Sequence, residues 1–175
     1  MQIEALQIDP FAYRKALGHF TSGVTVITTA IQGNVHGMTA NAFCSVSLNP
    51  PLVLISIDKK TAMHELLAQS GFYGVSVLTQ SQQAYSRHFA GQPQENLPIL
   101  FTWHNQCPLL EGALAQIVCR IIDAHPAGDH TLYIGQVEYL SYADEQPPLL
   151  FYSGKYQALE GQQTGPTFIY DPSWW

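Results

Sequence analysis

Residues Gly37–Thr61 read GMTANAFCSVSLNPPLVLISIDKKT. Small and hydroxyl-bearing residues lead through Pro50-Pro51 into the apolar run Leu52–Ile57, which ends on Asp58, Lys59, Lys60 and Thr61. A short apolar run bounded by prolines and an acid predicts a strand covered on both faces. Thr61 stands where a helix over Ala62–Gln69 would begin, and threonine is a good N-cap. A loop, a strand and a helix start in this order are suited to holding a phosphorylated planar ligand, because backbone N–H groups at a helix N-terminus attract anions.

Working outward, Asp9-Pro10 reads as an N-cap with proline in the first helical turn, which predicts a helix over Phe11–Phe20 ended by Ser22-Gly23. The β-branched run Val24–Thr29, the turn Gln32-Gly33-Asn34 and the strand Val35–Thr39 predict a hairpin. Phe72–Leu78 reads as another strand, and Ser81 as the cap of a helix reaching about Phe89. Gly91–Pro108, with its prolines and turn residues, predicts a long irregular excursion of the kind that forms lids or dimer arms. Ala113–Ile122 and Thr131–Leu140 read as long strands joined by a turn at Pro126–Asp129, and Leu149–Tyr152 as a last short one. The spacing of parallel βαβ units is missing and most connections are short, so a mainly β, antiparallel, closed or partly closed barrel with a few helices is expected. The expected organisation is one domain over residues 1–160, followed by a tail over 161–175 that ends in Trp174-Trp175 and would pack on a partner subunit or on the body.

The chain has 175 residues, 46% of them hydrophobic, enough for one sizeable core. No apolar run approaches a membrane span, and Glu4 stands where a secretory leader would be basic, so a soluble cytoplasmic protein is expected. The net charge is −6 with only seven lysines and arginines, which leaves no basic stripe for nucleic acid. Cys44, Cys107 and Cys119 form no C-x-x-C pair and are odd in number, which fits a reducing compartment. Cys44 and Cys119 lie in apolar strand-like runs and read as small core residues.

Several chemistries find no footing. There is no G-x-G-x-x-G and no phosphate-loop pattern among the thirteen glycines. His64-Glu65 begins like a metalloprotease helix but Ala68 replaces the second histidine, and the remaining histidines have no ligand spacing, so no metal site is expected. The pair Lys59-Lys60 has two readings. One is a solvated turn. The other is an anion site, because cations at a helix N-terminus oppose the macrodipole by about 0.3 to 1 kcal/mol each, and a bound phosphate would relieve that conflict. Met38–Ser47 is poor core material and reads equally as a solvent-facing hairpin strand or as an edge approached by a flat polar ring.

Thr39-Ala40-Asn41-Ala42-Phe43-Cys44-Ser45-Val46-Ser47 and the following strand and helix start resemble the flavin-binding signature of the flavin reductase-like family. Three further stretches extend the likeness in the same order: Arg87-His88-Phe89-Ala90, in which His88 interrupts the family's R-F-A; Gly128–Val137, which begins Gly-Asp-His; and Phe151–Tyr156. The resemblance runs from about Pro10 to Tyr156 and implies an antiparallel FMN-binding split β-barrel. It implies ring and ribityl contacts from Met38, Thr39, Ala40, Asn41, Ala42 and Ser45, and a phosphate end at Ser56, Lys60 and Thr61. It also implies that Arg87, Phe89 and Tyr156 lie by the flavin, and that His130 faces the reduced-nicotinamide side as the positioning residue in catalysis. Read from the residues alone, His130 is equally a strand-start histidine bonded to its own turn, and Tyr156 equally a packing residue.

The activity implied is reduction of FMN or FAD by NADH or NADPH, by a homodimer that passes reduced flavin to a separate monooxygenase. Hydride transfer between two bound rings requires no side-chain nucleophile, in keeping with the lack of a triad or a carboxylate pair. An alternative on the same barrel is a flavoprotein that keeps its FMN and reduces another acceptor. Pyridoxamine-phosphate-type oxidation shares the architecture but would want more cations than Arg14, Lys15, Arg87, Arg120 and Lys155 supply.

Overall fold

Asp9 opens the first helix as its sequence suggests. In the computed structural model, which describes residues 8–143 and 146–159, its carboxylate accepts from the amides of Phe11 (3.3 Å) and Ala12 (2.9 Å) at the start of α1, Pro10–Leu17. The helix stops one turn before Phe20. The Gly18 amide bonds back to Arg14 (2.9 Å) while its carbonyl accepts from Ser153 (2.8 Å), a tertiary bond that draws the chain out of the helix.

Strands β1 (Ser22–Gly23), β2 (Thr25–Ile31), β3 (Asn34–Ala40), β4 (Phe43–Leu48) and β5 (Pro51–Asp58) follow. The β2–β3 turn places Gln32 and Gly33 at φ 51° and 81°, the left-handed pair that a two-residue hairpin requires. Next come α2 (Ala62–Ser70), β6 (Phe72–Val77), a 3₁₀ turn over Gln80–Gln82 and α3 (Gln83–Phe89). The cap before α3 is Thr79 rather than Ser81: its amide donates to Gln82 Oε1 at 3.2 Å in a capping box. The chain closes with β7 (Phe101–His104), β8 (Cys107–Leu110), β9 (Ala115–Ala127), β10 (His130–Tyr142), β11 (Leu150–Tyr152) and β12 (Lys155–Gln157). The expected tail, with Trp174-Trp175, lies outside the described residues.

Seven strands form one antiparallel sheet in the order β3-β2-β6-β9-β10-β5-β4. Its inner faces converge on a single core, in which Ile27, Ile55, Ile57, Tyr73, Val75 and Cys119 are fully buried and Met63 and Leu67 of α2 fill one end. A sheet whose distant strands share one core is curled, and its two edges, β3 and β4, are joined only through Asn41 and Ala42. This is the split barrel expected. A second core of Val24, Val26, Leu78, Leu110 and Leu149 supports α3 and the β11–β12 hairpin.

Four expectations need correction. The second half of the Gly91–Pro108 excursion is the hairpin β7–β8, which its prolines conceal: Pro108 lends its carbonyl to Thr28 Oγ1, and the Leu110 amide donates to Ser76 Oγ at 2.9 Å. Strand β9 runs five residues past Ile122, because β10 lies between β9 and β5 as far as His130 and holds the hairpin in register to its tip. Strand β5 is buried on one face only, with Leu52, Leu54 and Ser56 half-exposed on the other. Cys44 is exposed on edge strand β4, whose outer face no described element covers, whereas Cys107 and Cys119 are buried. Burial pushes the Cys119 thiol up to about 12 and the Cys107 thiol to about 11, which leaves both unreactive near neutrality.

Candidate functional site

The end of β5 makes a tight turn around Asp58. Its carboxylate accepts from the Lys60 amide at 2.8 Å, and its carbonyl accepts from the Thr61 amide (3.1 Å) and the Thr61 hydroxyl (2.7 Å). Thr61 is the N-cap of α2, yet its hydroxyl faces back to Asp58 and caps no helical amide. Among the described residues the amides of Ala62 and Met63 also have no partner. The two lysines have separate roles. Lys59 is tied to the neighbouring hairpin, its ammonium to the Gly128 carbonyl (2.7 Å) and its amide to the Asp129 carbonyl (3.0 Å). Lys60 is exposed and its ammonium has no hydrogen bond among the described residues. An unengaged cation beside two free amides at a helix start is suited to a phosphate.

The same hairpin tip carries His130, which lies opposite Asp58 in the ladder. Its Nδ1 is 2.7 Å from Asp129 Oδ1, so the histidine is indeed bonded to its own turn. The hydrogen bond from His130 holds the Asp129 carboxyl below the usual carboxylate range, with Lys60 a smaller contributor. Ser56 sits two residues before Asp58, half-buried, its amide donating to the Ala42 carbonyl at 3.1 Å. Ser56, Lys60, Thr61 and His130 therefore occupy one end of the sheet, connected through Ala42 to the β3–β4 bend.

A second cluster forms on the α3 side of β3. The Thr39 hydroxyl donates to the Ser86 carbonyl (2.7 Å), and the buried Ser86 hydroxyl is 2.8 Å from the Tyr156 hydroxyl. The Arg87 guanidinium stands 5.8 Å from the centre of the Tyr156 ring. Phe89 lies against Gly37, where an added Cβ would come within 2.5 Å of its ring. Met38 is half-buried against the main core, and Ala40 is buried, so Ala40 can offer a ligand only backbone. Asn41, Ala42 and Ser45 are exposed, and Asn41 lines a cavity of about 310 Å³ with Phe43, Phe20 and Gly23.

The sequence reading missed Asp58 and Ser86. Asp58 had a signal, an acid immediately before two lysines at a helix start. Ser86 had none, since its importance comes from tertiary contacts on either side of a seven-residue helix.

The model of the flavin reductase like domain matches residues 17–160. The chain belongs to the flavin reductase like domain family. An NADH-dependent flavin reductase of a Rhodococcus species is 50% identical over 157 residues, covering 88% of this chain and 89% of that protein. The reductase component of 4-hydroxyphenylacetate 3-monooxygenase from Thermus thermophilus is 37% identical over 148 residues, 85% of this chain and 95% of its own. Among solved structures, flavin reductase PheA2 in its native state superposes with a TM-score of 0.85 at 49% identity, over 88% of this chain and all of that one. For this family member, the mainly β fold with its large antiparallel sheet agrees with the expectation.

Proposed function

We propose that the protein is an NADH-dependent flavin reductase that supplies reduced FMN or FAD to a partner monooxygenase, acting as a cytoplasmic homodimer. Membership of the family, with flavin reductases and monooxygenase reductase components among its relatives, is the observation that carries this reading. The site is compatible with it. Lys60 and the first amides of α2 would hold a flavin phosphate, whereas the Thr61 hydroxyl, whose proton goes to the Asp58 carbonyl, would serve the turn. Ser56 and the β3–β4 bend would line the ribityl chain and ring, and Tyr156 would border the ring from the other side.

Flavin supplies the hydride-accepting ring. The protein's contribution would be to orient: holding both rings against one another can lower a barrier by about 7 to 11 kcal/mol in well-oriented model systems. His130 is anchored to Asp129 through Nδ1, and its remaining ring nitrogen, which has no partner among the described residues, would be available to a bound nicotinamide. No side chain has to exchange a proton for hydride transfer to occur. Among the described residues no helix is long and apolar enough to cross a membrane.

Titration of the purified protein with FMN and FAD, followed by absorbance, and steady-state NADH oxidation with and without free flavin test this. Turnover that depends on added flavin is expected. Absence of both binding and oxidation overturns the proposal, and tightly held flavin that is reduced once and then stalls replaces it with the carrier alternative.

A further inference from the structure

Helix α2 begins at the turn proposed to receive the flavin phosphate, and one residue of its first turn reaches across to another strand. His64 Nε2 lies 2.9 Å from the hydroxyl of Thr131 on β10. Its ring meets the Tyr133 ring edge to face with centroids 5.9 Å apart, and its carbonyl accepts from the Tyr133 hydroxyl at 3.1 Å. Thr131 is buried and His64 half-buried. The His64 amide closes the first turn onto the Thr61 carbonyl at 3.1 Å. His64 therefore ties the start of α2 to two positions of the strand that begins with His130.

These contacts are the directional ones. Met63 and Leu67 hold α2 against the core through apolar burial, which opposes separation but favours no particular orientation. Asp58 shapes the turn before the helix, and its hydrogen bonds among the described residues go to Lys60 and Thr61 and stop at the N-cap. A phosphate held by the amides of Ala62 and Met63 needs both N–H groups aimed at it, because an N–H···O bond weakens steeply as its angle falls below about 120°. Rotation of the first turn would cost phosphate affinity and leave the surfaces offered by β3–β5 in place. We propose that His64 is a positioning residue for phosphate recognition: through Thr131 and Tyr133 it fixes the orientation in which the two free amides face the phosphate. This rests on the reading of the α2 start as the phosphate end of the flavin site.

The test titrates the full chain with FMN and with riboflavin, followed by fluorescence, in the wild type, His64→Ala, Thr131→Val, their double variant and His64→Gln, whose amide nitrogen can take the place of Nε2. His64→Ala and Thr131→Val are each expected to weaken FMN by about three- to tenfold and riboflavin by less than about twofold. The double variant should be no worse than His64→Ala, and His64→Gln should recover most of the FMN affinity. Urea midpoints are measured alongside, and if His64→Ala does not fold, Thr131→Val, which keeps the side-chain shape, carries the comparison. Equal losses for the two flavins, additive losses, or no loss overturn the positioning role while a wild type that prefers FMN retains the phosphate site. A wild type that binds FMN and riboflavin equally overturns both.

Discussion

Lys59 and Lys60 are adjacent and chemically alike, yet one is a structural tie to the Gly128–Asp129 turn and the other is unengaged. Lys60→Ala should remove one charge-assisted contact of about 1.5 to 3 kcal/mol and weaken FMN binding by on the order of ten- to a hundredfold, with riboflavin almost unaffected. Fluorescence titration with both ligands checks this, and equal losses for the two would return Lys60 to a solvated turn. Lys59→Ala should instead loosen the hairpin tip and affect both ligands alike. At Ser86 the expectation concerns orientation. Ser86→Ala deletes the bond to Tyr156 and keeps the carbonyl that receives Thr39, so kcat should fall several-fold with little change in flavin affinity. Tyr156→Phe should give the same phenotype, and the double variant should be no worse than either single one. Additive losses would show that the two hydroxyls act separately. The lysines were legible because charge is scarce in this chain. Ser86 was not, because a serine in a short helix acquires its meaning only when β3 and β12 arrive on either side of it.

Elements whose pattern is local were legible in the sequence. The β2–β3 hairpin, β6 and α2 follow from periodicity and turn residues, and β5 from its apolar run bounded by Pro50-Pro51 and Asp58. What the sequence concealed depends on distant partners: the β7–β8 hairpin is held by Thr28 and Ser76, and the outer half of β9 by the register of β10 against β5. Strand packing also explains one glycine. At Gly135 on β10, an added Cβ would collide with the Tyr73 hydroxyl and come within 2.7 Å of Cys119 Cβ. That hydroxyl is buried and has no hydrogen-bond partner among the described residues, and burial raises its pKa far above the ordinary tyrosine value. Gly135→Ala should therefore destabilise by about 1–3 kcal/mol through overpacking, read as a lower urea midpoint at unchanged slope. Tyr73→Phe removes the unpaired hydroxyl but keeps the ring carbon that bore it, itself 2.7 Å from the added Cβ, so it should restore only part of the loss in the double variant. If Tyr73→Phe restores nothing, the hydroxyl is not what constrains this position.

At the scale of the molecule, several large apolar side chains among the described residues stand exposed. Helix α1 buries none of its residues, and Phe11 and Phe20 are 76% and 82% exposed. Val46 and Leu48 on edge strand β4 are exposed as well, beside the half-exposed outer face of β5 that carries Ser56. Monomeric proteins rarely keep large contiguous apolar patches in water, and the outer face of β4–β5 adjoins the β3–β4 bend proposed to line the flavin. A second copy covering these surfaces would bury them and close the flavin site together, which is the reason to expect a homodimer. Sedimentation velocity at micromolar concentration should give a dimer. Phe11→Glu and Leu48→Glu place a charge on each surface in turn, and the one at the interface should shift the equilibrium to monomer while far-ultraviolet circular dichroism stays unchanged. Flavin affinity should fall in step with the dimer fraction. A wild-type monomer that binds flavin normally would remove both the interface and its part in the site.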